Sequence, residues 1–112
     1  MNAIVSRRRR MTGKAASLPV IDDVDVVIDG GTATISANIT PGNASTIVGL
    51  QHGATNEYGT DTRSEESPLS GYETVRDEWE ITGLLPGTYH YMIYATNALG
   101  TAETEDLTFE II

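Results

Sequence analysis

TATISANIT, residues 32–40, alternates apolar side chains with hydroxyl and amide ones at every step. Ala33, Ile35, Ala37 and Ile39 fall on one side of an extended chain; Thr34, Ser36, Asn38 and Thr40 fall on the other. A helix, with its period of 3.6, would scatter both sets around its circumference, whereas a strand separates them. The stretch is predicted as a half-buried strand, with its apolar side on a core and its polar side in water.

The same alternation extends in both directions. Upstream, Val24, Val26 and Ile28 alternate with Asp23, Asp25 and Val27. Asp29-Gly30-Gly31 between the two runs reads as a tight hairpin, and Pro41-Gly42-Asn43 ends the second strand. Downstream, a strand is predicted over Thr46 to His52, with Val48, Leu50 and His52 in phase. Gly53 to Gly71 is rich in turn formers and reads as loops around one short edge strand. Glu73 to Ile81 puts Val75, Trp79 and Ile81 on one face, and Tyr89, Tyr91, Ile93 and Ala95 share a face after the GLLPG turn. Asn97 to Gly100 marks another hairpin, and the last strand holds Leu107, Phe109 and Ile111. No segment carries a helical period. About seven short strands with closely spaced turns predict an all-β antiparallel sandwich.

A chain of 112 residues, 39% hydrophobic and 21% charged, suits one globular domain. Cysteine is absent, which removes disulfides, thiol catalysis and zinc–thiolate sites. The net charge of −9 hides a division. Five of the seven basic residues, Arg7, Arg8, Arg9, Arg10 and Lys14, lie in the first 14 positions. Residues 18–112 hold all sixteen acids and only Arg63 and Arg76, a formal charge of −14. Such a body repels phosphate, so nucleic-acid binding by the folded domain is not expected. The division predicts a basic N-terminal arm, residues 1–17, ahead of a β domain, residues 18–112. The arginines are not followed by the apolar run of about 7–15 residues that a secretory signal requires. The expectation is a whole small gene product made in the cytoplasm without a secretion signal.

GLLPGTYHYMIYATNALG, residues 83–100, resembles the end of a fibronectin type III domain, with its Pro-Gly-Thr turn, aromatic strand and Ala-x-Asn-x-x-Gly. QHGATNEYG, residues 51–59, is similar to a segment common in bacterial and phage members of that family. The resemblance spans roughly residues 32–110. It implies an immunoglobulin-like sandwich and a corner in which a tyrosine hydroxyl bonds nearby backbone. Tyr89 matches that position, with Tyr91 as the alternative. The family's usual tryptophan on the second strand is missing, and Trp79 is expected to fill its volume. His52 stands where an aromatic residue is usual.

Nothing in the motifs points to catalysis. His52 is expected to pack at the sheet edge and His90 to face solvent. Glycine-flanked serine, P-loop and His-Glu-x-x-His patterns are absent from the sequence. The doublets Asp22-Asp23, Glu65-Glu66 and Asp77-Glu78 read as solvated surface that keeps a β domain soluble. No cofactor or metal site is expected, since Asp22, Asp23 and Asp25 lack EF-hand spacing.

The function expected is structural: a bacteriophage virion component, such as a capsid decoration or head-fibre protein. Arg7–Arg10 and Lys14 would bind a capsid or other virion protein, or further copies of the chain, through bidentate bonds to carboxylates. A second class is a surface or secreted carbohydrate-adhesion module, with Tyr58, Tyr72 and Tyr94 as candidate contacts. A third is a nucleic-acid tether through the arginine run, which salt would weaken steeply.

Overall fold

The alternation at residues 32–40 becomes β2 (Thr32–Thr40), in which Ala33, Ile35, Ala37 and Ile39 are fully buried. The computed structural model describes residues 15–112, and around β2 it arranges β1 (Val20–Asp29), β3 (Ile47–Gly53), β4 (Thr60–Arg63), β5 (Val75–Ile81), β6 (Gly87–Asn97), β7 (Gly100–Glu103) and β8 (Leu107–Ile111). The described residues contain no helix. Two antiparallel sheets result, ordered β1-β2-β5 and β4-β3-β6-β7, with β8 also paired to β6. They share one core, to which the first sheet sends Ile35, Ile39 and Trp79 and the second Leu50, Ile93 and Phe109. The fold is all-β and sandwich-like, as the periodicity predicts.

Eight strands appear where about seven are expected, because the last is interrupted. Tyr94 pairs with Glu103 and Tyr91 with Leu107, so residues 104–106 oppose only Met92 and Ile93. The extra residue is a bulge. Thr104 satisfies Ile93 twice: its N–H donates to the Ile93 carbonyl at 2.9 Å and its Oγ1 accepts from the Ile93 N–H at 3.1 Å.

A second bulge lies in β1. Asp22 pairs with Asn38 and Asp25 with Ser36, so Asp23 and Val24 together oppose Ala37. Asp23 takes a φ of 54°. The extra residue resets the phase, and Ile21 and Val24, three apart, both pack against the core. Arg76 holds the bulge from β5: its guanidinium donates to the Asp23 carbonyl at 2.6 Å, to Asn38 Oδ1 at 3.1 Å and to Ser36 Oγ at 2.9 Å.

Trp79 lies opposite Ile35 in the register, with Ala33 and Ala37 on the same face of β2 leaving room for its ring. Its Nε1 donates to the Thr62 carbonyl at 3.1 Å, joining β5 to β4. Tyr89 donates its hydroxyl to the Leu85 carbonyl at 2.7 Å, a side chain-to-backbone bond across the turn before β6. Tyr91 instead packs into the core against Phe109.

Two expectations are overturned. His52 is not at a sheet edge: it lies on β3, paired with Thr60 of β4 on one side and Tyr91 of β6 on the other. The Asp77-Glu78 doublet is not uniformly solvated: Glu78 is exposed, but Asp77 is fully buried. Its position is in phase with Val75, Trp79 and Ile81, and the strand's period outweighs the residue's polarity. Ser64 Oγ donates to Asp77 Oδ1 at 2.8 Å, while Oδ2 has no partner. Burial pushes this carboxyl above its ordinary value, and nearby Glu66 adds to the rise against the lowering by the Ser64 bond.

Candidate interaction surfaces

Arg7, Arg8, Arg9, Arg10 and Lys14 lie outside the described residues. The point where their segment joins the body is described. Ser17 donates its N–H to the Gly42 carbonyl at 2.9 Å, and its own carbonyl accepts from Asn97 Nδ2 at 2.8 Å. Asn97 Nδ2 also reaches the Pro41 carbonyl at 3.2 Å, and its Oδ1 accepts from the Leu99 N–H at 2.8 Å. Leu18 lies against Gly100, the first residue of β7. Ser17 and Leu18 therefore lie along the side of the sandwich where β1 faces β7.

The three tyrosines separate. Tyr94 projects from the outer face of β6, opposite in phase to buried Tyr91, Ile93 and Ala95. Its ring lies directly on Gly49 of β3, in space that any side chain there would occupy. Its hydroxyl donates to Asp61 Oδ1 at 2.8 Å. Burial raises its pKa, and the bond to Asp61 raises it further. Tyr58, with a φ of 64°, is the next-to-last residue of the β3–β4 loop, and its backbone presses on Gly53 where a Cβ would stand. From there its hydroxyl reaches Asp106 Oδ1 at 3.0 Å, and His90 Nδ1 meets Asp106 Oδ2 at 2.9 Å. Asp106 sits in the break between β7 and β8. The His90 bond, then the Tyr58 bond, holds its carboxyl below the ordinary carboxylate value. Tyr58 and Tyr94 thus border one outer sheet face, whereas Tyr72 lies near the opposite end, beside Gly71, whose carbonyl accepts from the Asn43 N–H. His90 belongs to this face, as its phase predicts, and carries an ionic partner that the phase does not reveal.

A concavity lies elsewhere, on the side where β5 faces β4. It is an open cleft of roughly 590 Å³. Leu50, His52 and Trp79 form its floor, and Glu65, Glu78 and Glu80 line it with Arg63. Burial lowers the His52 pKa, which favours the neutral ring. The three glutamates were each legible as exposed acids. Their convergence depends on the sheets meeting along these two edges, which no local pattern encodes. Among the described residues no group of three or more acidic or histidine side chains is placed to hold a metal ion. Compared with protein-family models, curated proteins and solved structures, the chain finds no match in any of the three.

Proposed function

We propose that the chain is a structural interaction protein, a fibronectin type III-like domain anchored to a protein partner through its basic N-terminal arm. The setting proposed is a bacteriophage virion, with the domain as a capsid decoration or head-fibre component made in the host cytoplasm. The strand order, three strands facing a sheet of four with the last one broken, supports the family reading, as does the Tyr89–Leu85 corner. The observation that carries the anchoring role is the charge division. Four adjacent arginines and Lys14 precede a body with sixteen acids and two cations. A segment of this composition cannot build a core, so its contribution is to a contact.

The test is deletion of residues 1–14, leaving Ser17 and its bonds to Gly42 and Asn97 in place. The shortened protein is expected to keep the strand circular-dichroism signal and unfolding midpoint of the full chain, yet to be missing from particles assembled in its presence. Normal incorporation of the shortened protein would refute the anchor.

A carbohydrate-contact role is a second reading, favoured by the shared face of Tyr58 and Tyr94. Tyr94→Ala should then abolish retention on the host's surface glycans without affecting particle incorporation.

A further inference from the structure

We infer that residues 64–74, which join β4 to β5, form a strap that closes over the core while Asp77 holds a proton and lifts as that proton is lost.

The strap is fastened at few points. Within it only Ser64 and Leu69 are buried. Leu69 belongs to the core and bridges to Thr46, each N–H donating to the other's carbonyl at 2.8 Å. Ser64 donates its N–H to the Val48 carbonyl at 2.8 Å and its hydroxyl to Asp77 Oδ1 at 2.8 Å. Ser67 Oγ accepts from the Val48 N–H at 2.7 Å, and the Gly71 carbonyl accepts from the Asn43 N–H at 2.7 Å. Glu65, Glu66, Pro68, Ser70 and residues 72–74 are exposed. A segment with so little buried surface belongs to the part of a fold that opens locally, ahead of global unfolding.

Asp77 decides how firmly the Ser64 end is held. Its side chain is fully buried, and among the described residues Oδ2 has no partner. Loss of the proton leaves a charge in a dry site, which costs far more than a neutral carboxyl there. β5 is not free to carry that charge into water, because it is paired to β2 from Val75 to Ile81. The strap is the less firmly held side, and lifting it hydrates the carboxylate. The surroundings offer no compensation. Ala37 stands opposite on β2, β3 meets the strap at Val48, and Glu66 on the strap opposes a second negative charge. Arg76 and Glu78, the neighbours along β5, are exposed, and Arg76 is bonded to Asp23, Asn38 and Ser36. An amide at position 77 would accept the same Ser64 bond without titrating, so the carboxylate is what makes closure depend on a proton. Burial moves loss of that proton above the ordinary 3.8. The strap is therefore closed in acid and loosens as pH rises through the folded-state value. Lifting bares Leu69 and the backbone of Thr46 and Val48, and leaves the pairing of β2 with β5 intact.

The experiment is amide hydrogen exchange on the full chain, followed by NMR across roughly pH 4 to 8. After correction for the intrinsic effect of pH, protection of the Ser64, Leu69 and Thr46 amides should fall as pH rises, by up to about tenfold per unit. It should stay below the protection of Ile35 and Ile93, whose amides open with the whole domain. In Asp77→Asn the protection of the strap amides should be level across the series. Glu66→Gln should keep the fall and start it at lower pH, since Glu66 helps Asp77 retain its proton. Strap amides protected as strongly as Ile35 and Ile93 would overturn the inference, as would parent protection that ignores pH. So would a fall that persists in Asp77→Asn, or one that vanishes in Glu66→Gln and so belongs to Glu66.

Discussion

Replacing Asp77 by Asn should stabilise the protein, although it alters a fully buried residue with a bonded partner. Asp77 Oδ1 accepts from Ser64 at 2.8 Å, and an amide oxygen accepts the same bond. Oδ2 has no partner, so the native side chain holds either an unpaired charge or a retained proton in a dry site. A buried polar atom without a partner costs about 1–3 kcal/mol when neutral and more when charged. Asn places an NH2 with two unpaired N–H groups where Oδ2 stood but removes the charge, for a net gain of at most about 1–2 kcal/mol at neutral pH. For a domain of this size each kcal/mol moves the unfolding midpoint by about 4–8 °C. The effect has a sign in pH. Burial raises the folded-state pKa above the ordinary 3.8, so the folded protein keeps the proton to higher pH than the unfolded chain does. The group's contribution is most favourable below that ordinary value and is lost as pH rises through the folded-state value. The gap between variant and parent should be small in acid and widen with pH, by at most about 1.4 kcal/mol per unit. Urea unfolding of both proteins across roughly pH 3 to 8 measures it. A gap that narrows or changes sign with rising pH, leaving the variant less stable at neutrality, would show that the carboxylate is ionised and satisfied.

Three other outcomes are expected. Tyr89→Phe removes the bond to the Leu85 carbonyl and should lower stability by about 0.5–1.5 kcal/mol in urea, with the sheet spectrum unchanged. Gly49→Ala sets a methyl where the Tyr94 ring lies and should destabilise by about 1–3 kcal/mol, an effect reduced when Tyr94→Ala accompanies it. Asp106, held low by His90 and Tyr58, supports the fold above the ordinary carboxylate value and loses that support as pH falls through its folded-state value. Its carboxyl carbon should titrate below 3.8 by NMR, and closer to 3.8 in the His90→Ala protein.

What could be read beforehand was whatever follows from a period of two. Ala33, Ile35, Ala37 and Ile39 were legible as core because each local step agrees with the fold. The β1 bulge was not, because Asp23 at φ 54° shifts the phase without a glycine to announce it. Asp77 was hidden by chemistry rather than by pattern: its spacing from Val75 and Trp79 was visible, but an acid beside Glu78 reads as surface. On the tyrosine face, phase alone turned Tyr94 outward, opposite to Ile93. Tyr58 depends on a loop pressing against Gly53 and on the break that carries Asp106, both tertiary facts. The cleft is a further step removed, since its glutamates converge only when two separate sheets meet along β4 and β5.

The two ends of the described body leave it in opposite directions. Val20 starts β1 beside Thr40 and the Asn97 end of β6, while Ile111 closes β8 beside Gly87, at the far end of β6. A pull between Ser17 and the C-terminus therefore runs along the strand axes. Antiparallel ladder bonds stand across that axis, so many of them bear the load together instead of parting one after another. Ser17 hands the tension to Gly42 and Asn97 before it reaches β1. A domain built this way yields abruptly and late when it is stretched from these two points.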